Sequence, residues 1–436
     1  MTQELSQPTP SGRMSRILGL ATGFGALHAL HTAMNLGFTL LQLLVLARLL
    51  DQPRYAEIVF LTAVGLYIQP ADQAIGRANY MALRPAAAGM AGAARGAVVW
   101  SLAGQACLLL LLSFVVPLWF GTDDPVRYLG NALFLFGCLF TNYWSFDLQS
   151  TAWAADLGRR FAFVSILRRL AFLAALGLFW LTGDFLLYGA ATTIVIVLFM
   201  AVVLRDARHA PLLAAGPASP ARTGLLAYWK QFWASLAFAL SELLVLNSPY
   251  AVLTALFGVG PVLVVFDSVM KVARLAMAGT RTLAEIFLPR ISRQLIDGER
   301  AEAQRGLWRV TLLCAAATAI PAGAVLFFSP LVFDLLLGPN NVVPPEAAPA
   351  AALIIMVSGF YQPATLFLSY LNARRLVLGV AIFASAGAAV AAAIMLIGRF
   401  EAAGLLWIYA GFFAAVSGFA LLQSRRIEPW EVAREA

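Results

Sequence analysis

Charge is what this sequence has little of. Of its 436 residues, 12% are Asp, Glu, Lys or Arg, against 61% that are hydrophobic. Soluble domains carry about 25% charged residues, so an ordinary soluble enzyme, a nucleic-acid-binding domain and a disordered chain are excluded. Cysteine is scarce as well. Cys107, Cys138 and Cys314 all fall in apolar runs, and their odd number and setting argue against a disulfide framework and against a metal site. No cofactor is expected. The first 16 residues are polar, with Pro8 and Pro10, and lack the apolar core and small-residue cleavage site of a secretory signal. They are expected to form a cytosolic tail.

What the sequence does have is apolar length. Runs lie at 22–47, 55–76, 97–119, 128–150, 164–182 and 185–204, then at 228–256, 261–288, 308–329, 348–370, 376–397 and 402–423. A spanning helix needs about 20 apolar residues, and lipid offers no partner to an open backbone group. The sequence therefore predicts an all-α integral membrane protein of twelve transmembrane helices. Six spans occupy 17–204, a cytosolic linker with Pro211, Pro217 and Pro220 occupies 205–226, six more occupy 227–424, and 425–436 form a second tail. With both termini inside, 23 basic residues fall on the inner side, among them Arg168 and Arg169, and only Arg48, Arg54, Arg127 and Arg399 fall outside. That bias orients the chain. The outer loops are short, Asp123-Asp124 in one of them reads as a capped turn, and none could fold as a catalytic domain, so no enzyme is expected. The inner segment 289–307, rich in Arg and Glu, is expected to form an interfacial helix. Pro70, Pro249, Pro321 and Pro363 mark expected kinks.

The charges left inside the spans carry the functional signal. In the eighth span, Asp267, Lys271, Arg274, Ala278, Arg281 and Glu285 are spaced 4, 3, 4, 3, 4. At about 100° per residue they share an arc of about 80°. Facing lipid, the five charges would cost on the order of 12–17 kcal/mol. Asp267 with Lys271 and Arg281 with Glu285 are i,i+4 pairs, while Arg274 has no acid at that spacing and leaves the stripe net positive. Either the stripe is a buried ion-pair network locking the helix to a neighbour, or it faces a hydrated cavity that receives an anionic substrate; the net charge favours the second.

A polar stripe on the first span, His28, His31, Asn35, Thr39 and Gln42, reads equally as cavity lining or as glue between helices. Gln231, Ser235 and Glu242 share a face of the seventh span, ahead of Asn247 and Ser248. Glu242, Asp72 and Asp147 lie mid-span and are candidates to carry a coupling proton or sodium ion. Glu57 is expected near the outer interface.

Several segments together carry a family resemblance. Leu46-Ala47-Arg48-Leu49-Leu50-Asp51-Gln52-Pro53-Arg54-Tyr55-Ala56 resembles the first-turn signature of the Wzx-type polysaccharide and O-antigen flippases of the multidrug/oligosaccharidyl-lipid/polysaccharide (MOP) exporter superfamily. Ala71-Asp72-Gln73-Ala74-Ile75 resembles the Asp-x-Gly segment that follows, with Ala74 in place of Gly. Leu288-Pro289-Arg290-Ile291-Ser292-Arg293, Asp297-Gly298-Glu299, Phe333-Asp334-Leu335-Leu336-Leu337-Gly338-Pro339 and Tyr370-Leu371-Asn372-Ala373-Arg374 are similar to the markers of the second half. The resemblance implies two six-helix lobes around a central cavity lined by the first, second, seventh and eighth helices. It implies transport of a polyprenyl-diphosphate-linked oligosaccharide from the inner to the outer leaflet of a bacterial inner membrane, with other polysaccharide-assembly proteins as partners and no nucleic acid. A diphosphate needs fixed positive charge, and arginine meets phosphate oxygens two at a time. Arg274 is therefore the first candidate for the headgroup, supported by Arg281 and Lys271, with His28, His31, Asn35, Gln42, Asp267 and Glu285 lining the cavity. The alternatives are a drug or cation antiporter of the same superfamily and an integral-membrane glycan polymerase or transferase.

Overall fold

The computed structural model describes residues 24–83, 92–121, 123–144, 157–209, 229, 232–233, 236, 243, 245–371, 374–398 and 400–427. Twelve α-helices run through these residues, in the order of the twelve apolar segments, and no strand occurs among them. They are α1 (Phe24–Leu49), α2 (Gln52–Leu83), α3 (Gly92–Val115), α4 (Pro125–Leu139), α5 (Gly158–Thr182) and α6 (Phe185–His209), then α7 (Ser248–Phe257), α8 (Pro261–Ile296), α9 (Arg300–Leu337), α10 (Ala348–Tyr370), α11 (Arg374–Gly398) and α12 (Ala402–Arg426).

The turns explain why the helices stop where they do. Asp124 caps α4, its Oδ1 accepting from the backbone N–H groups of Val126 at 3.0 Å and Arg127 at 3.1 Å, with Pro125 preset for the first turn. The acidic pair at 123–124 is thus a cap. Gly183 ends α5 at φ 67°, in the left-handed region that only glycine enters without cost, and its N–H reaches the Phe179 carbonyl.

Among the described residues, seven helices are long and apolar enough to cross a membrane; α8 carries too much charge to count among them. Their outer faces suit lipid: Leu181, Ile320 and Ile397 are 83%, 77% and 84% exposed. Trp100 and Trp119, also largely exposed, bracket the α3 span. Nineteen residues at ~1.5 Å each set them about 28 Å apart, close to the thickness of the hydrocarbon core. The chain is a multi-pass integral membrane protein.

Contacts divide it into two compact units. One holds the described residues up to Gln42 and from Ile75 to Trp229; the other holds Leu43–Ala74 with the residues from 230 onward. In the first, α6 packs against α4 and α5; in the second, α10 packs against α8, α9 and α12. The side chains show why Leu43–Ala74 goes with the second unit. Buried Asn340, in the turn after α9, donates to the carbonyls of Ala47 and Leu50 at 2.7 and 2.6 Å, and Arg48 donates to the Leu335 carbonyl at 3.2 Å. In α2, the Tyr67 hydroxyl donates to the Asn247 carbonyl at 2.8 Å, and Asn247 Nδ2 donates to the Leu66 carbonyl at 3.0 Å.

Two expectations need correction. The segment 289–307 forms no separate interfacial helix: α8 continues to Ile296, a tight turn with Gly298 at φ 86° follows, and α9 begins at Arg300. Helical dihedrals in α9 break at Phe328 (φ −127°, ψ 30°), ahead of Pro330, and not at Pro321. Glu57, near the start of α2, is buried and ion-paired with Arg54 at 2.5 Å.

Gly359 of α10 packs tightly against α9. A Cβ there would stand 2.4 Å from Thr318 Oγ1, 2.9 Å from the Cys314 carbonyl oxygen and 3.0 Å from the Ala315 Cα, all on α9. Such small-residue contacts let membrane helices approach backbone to backbone. Gly359→Ala should destabilise by about 1–3 kcal/mol through overpacking, read as a lower melting temperature in detergent. Gly37→Ala, whose added Cβ would meet nothing within 4 Å, is the matched control and should melt no lower than the parent.

Candidate functional site

The second unit buries a polar centre around the first half of the α8 stripe. Asp267 is buried, and its two oxygens have different partners: Oδ2 meets Lys271 Nζ at 2.5 Å, and Oδ1 accepts from the Tyr250 hydroxyl at 2.9 Å. The Lys271 ammonium lies 5.6 Å from the centre of the Tyr55 ring. One turn on, Arg274 Nη2 donates to Asn247 Oδ1 at 2.9 Å, and its guanidinium lies 5.3 Å from the Tyr250 ring centre. Arg274 therefore has a partner in Asn247, at the entry to α7.

The break in the seventh span makes this possible. Asn247 sits just ahead of Pro249, where the chain enters α7, and its side chain caps nothing. The amide is spent instead on Leu66 and Arg274. Behind it, Phe266 meets Tyr250 and Tyr409 edge-on, with ring centres 5.0 and 5.1 Å away, and the Tyr409 hydroxyl donates to the Val245 carbonyl at 3.0 Å. The centre thus gathers Asp267, Lys271 and Arg274 on successive turns of α8.

The lower half of the stripe lies elsewhere. Arg281 Nε donates to Glu285 Oε1 at 2.9 Å, and the pair is 50% and 42% exposed. In solvent such a pair contributes little to stability. The structure thus groups Asp267, Lys271 and Arg274 and sets Arg281 with Glu285 apart.

The first unit has a buried centre of its own. Asn35 bridges His31, with Nδ2 and the ring Nε2 3.1 Å apart, and Arg169 of α5, whose Nε donates to Asn35 Oδ1. The Arg169 guanidinium lies 5.1 Å from the Phe38 ring centre and 5.7 Å from that of Phe172. Gln42 Nε2 donates to the Tyr188 hydroxyl at 2.9 Å, and Thr39 donates to the Asn35 carbonyl at 2.9 Å. The α1 stripe thus ties helices together within this unit. The side chains of His28, Asp72, Asp147, Gln231, Ser235 and Glu242 lie outside the described residues.

No protein-family model matches the chain, and no curated protein matches it. Solved structures do. It is similar to an inward-facing multidrug-resistance transporter of the MATE family, MOP superfamily, with a TM-score of 0.71 at 12% identity over 92% of this chain and 95% of that one. The fold is that of the MATE transporters. A eukaryotic MATE transporter matches at TM-score 0.62 and 14% identity over 97% and 99% of the two chains. A MOP superfamily transporter from Pyrococcus furiosus matches at 0.59 and 14% over 93% of each.

Within this MATE fold, two residues had been misplaced by the count of inner charges. Arg168 and Arg169 lie in the middle of α5 and are buried, at 5% and 6% exposure. Arg168 stacks on the Phe199 ring of α6, 4.2 Å from its centre. Their signal in the sequence was position: they follow seven residues after Phe161, inside an apolar stretch, whereas Arg159 and Arg160 precede it. A bonded charge inside a membrane helix should be costly to strip of its acceptor. Asn35→Ala removes the Arg169 acceptor and should destabilise the protein by about 1.5–3 kcal/mol, as for other hydrogen bonds to charged groups. An unchanged melting temperature in the purified variant would contradict this.

Proposed function

We propose that this chain is a flippase that carries a polyprenyl-diphosphate-linked oligosaccharide from the inner to the outer leaflet of a bacterial inner membrane by alternating access, for cell-surface or exopolysaccharide assembly. The observation that carries the reading is the pair of cations on α8, Lys271 and Arg274, with Arg274 held by the Asn247 amide and against the Tyr250 ring. A guanidinium matches the oxygens of a diphosphate in pairs. Lys271 supports it through charge, tempered by Asp267, and Arg281 would act nearer the exposed end of the stripe. The MATE fold supports transport over catalysis. The Pyrococcus relative is described as having a binding pocket of reverse polarity that suggests a different function, which supports a departure from drug export on the same scaffold. Glu242, Asp72 and Asp147 are the proposed carriers of a coupling proton or sodium ion. Polysaccharide-assembly proteins are the proposed partners.

A drug or cation antiporter is the second reading, favoured by the multidrug transporters among the structural relatives. Reconstituted vesicles separate the two. A labelled lipid-linked oligosaccharide should become accessible to an impermeant reagent on the far side, with no sugar transferred, and a sodium or proton gradient should raise the rate. Efflux of an organic cation without movement of the lipid-linked glycan would overturn the proposal.

A further inference from the structure

The start of α9 and the end of α12, both in the second unit, frame a cavity of about 460 Å³. Gln304, Arg305, Trp308 and Arg309 of α9 line it, with Leu421 and Arg425 of α12. Among the described residues three arginines line it, no carboxylate does, and none of the three enters an ion pair. The walls are tied together. Gln304 Nε2 donates to the Arg425 carbonyl at 3.0 Å, and the Arg425 guanidinium lies 4.7 Å from the Trp308 ring centre.

One turn deeper along both helices the surface becomes apolar. Leu312 follows Trp308 on α9 and Leu422 precedes Arg425 on α12, 47% and 55% exposed. A cationic cavity at the polar end of two spans, continued by exposed leucines and flanked by a tryptophan, matches a molecule with an anionic head and apolar tails. Tryptophan and arginine favour that depth of a bilayer, and basic pockets between membrane helices suit anionic headgroups. We propose that this cavity binds the headgroup of an anionic phospholipid, the phosphodiester meeting Arg305, Arg309 and Arg425 while the acyl chains lie along Leu312 and Leu422. The site is separate from the α8 centre and does not depend on what the protein transports.

Native mass spectrometry of the full-length protein from mixed micelles tests it, with phosphatidylglycerol and phosphatidylcholine as probes. The parent should retain phosphatidylglycerol in preference. Each basic residue near the surface is worth roughly a fivefold change in affinity, so R305Q/R309Q/R425Q should weaken phosphatidylglycerol binding on the order of a hundredfold and leave phosphatidylcholine binding unchanged. If the triple variant fails to fold, R309Q alone, at an exposed position, should still lose about fivefold. Equal retention of both lipids by the parent, or undiminished phosphatidylglycerol retention by a folded variant, would overturn the proposal. So would displacement of the phospholipid by millimolar inorganic phosphate, which would make the site a plain phosphate site, or by an equimolar polyprenyl diphosphate, which would make it part of the transport route.

Discussion

Arg274→Ala should slow delivery of the lipid-linked glycan about tenfold or more while leaving a folded protein in the membrane. A charge-assisted contact to phosphate contributes about 1.5–3 kcal/mol, so losing it should slow transport roughly ten- to a hundredfold. Asn247 should stay in place, because its Nδ2 still has the Leu66 carbonyl as a partner when Arg274 is gone. Arg274→Lys should recover part of the rate, since a point charge survives without the planar fork. Arg281→Ala should matter less, because its side chain is half exposed and already paired with Glu285. The experiment measures membrane abundance and glycan delivery for the three variants together. Full transport by an abundant Arg274→Ala variant would remove the cationic centre from the mechanism.

The opposite pattern is also readable. If Arg274 served only to lock α8 to its neighbours, Arg274→Ala and Arg274→Lys would lose abundance in parallel with transport. Substituting Asn247 by leucine would then damage the protein as severely, because it removes the same clamp together with the bond to Leu66. A transport role instead predicts that the lysine variant stays abundant and transports slowly.

The sequence displayed the helices and the α8 stripe because both are local. Apolar length sets the first, and a 4-3-4 spacing sets the second, with no need to know what lies opposite. The partners of the stripe were not local. Tyr55, Asn247 and Tyr250 come from other helices, and nothing in the spacing of α8 points to them. Asn247 looked like one more polar residue beside a proline; its role follows from the helix break, which turns its amide away from capping and toward Arg274. The same blindness placed Arg168 and Arg169 among inner charges, since a guanidinium stacked on Phe199, Phe38 or Phe172 looks, in one dimension, like a loop residue. The α8 boundary was drawn at Pro289 because hydropathy falls there, yet a helix leaving lipid for water has no reason to end, and α8 continues to Ile296.

Asp267 and Lys271 should be worth more as a pair than either is alone. Lys271 is 23% exposed and Asp267 3%, so each sits where an unmatched charge is expensive. Removing one partner of a buried pair costs about 3–5 kcal/mol, because the survivor keeps its desolvation penalty and loses its counter-charge. Asp267→Asn leaves the ammonium facing Tyr55 and an amide, whereas Lys271→Met leaves the carboxylate with the Tyr250 hydroxyl. Each single variant should therefore drop sharply in abundance and melting temperature. The double variant strands no charge, and should recover much of the loss, giving a coupling of about 0.5–3 kcal/mol between the two positions. Transport should recover only in part, because the double variant leaves Arg274 in place but lacks the Lys271 ammonium proposed to support it, so a stable but slower double variant is the expected result. A coupling near zero would mean that the tyrosines hold the two side chains independently and that the 2.5 Å contact contributes nothing of its own.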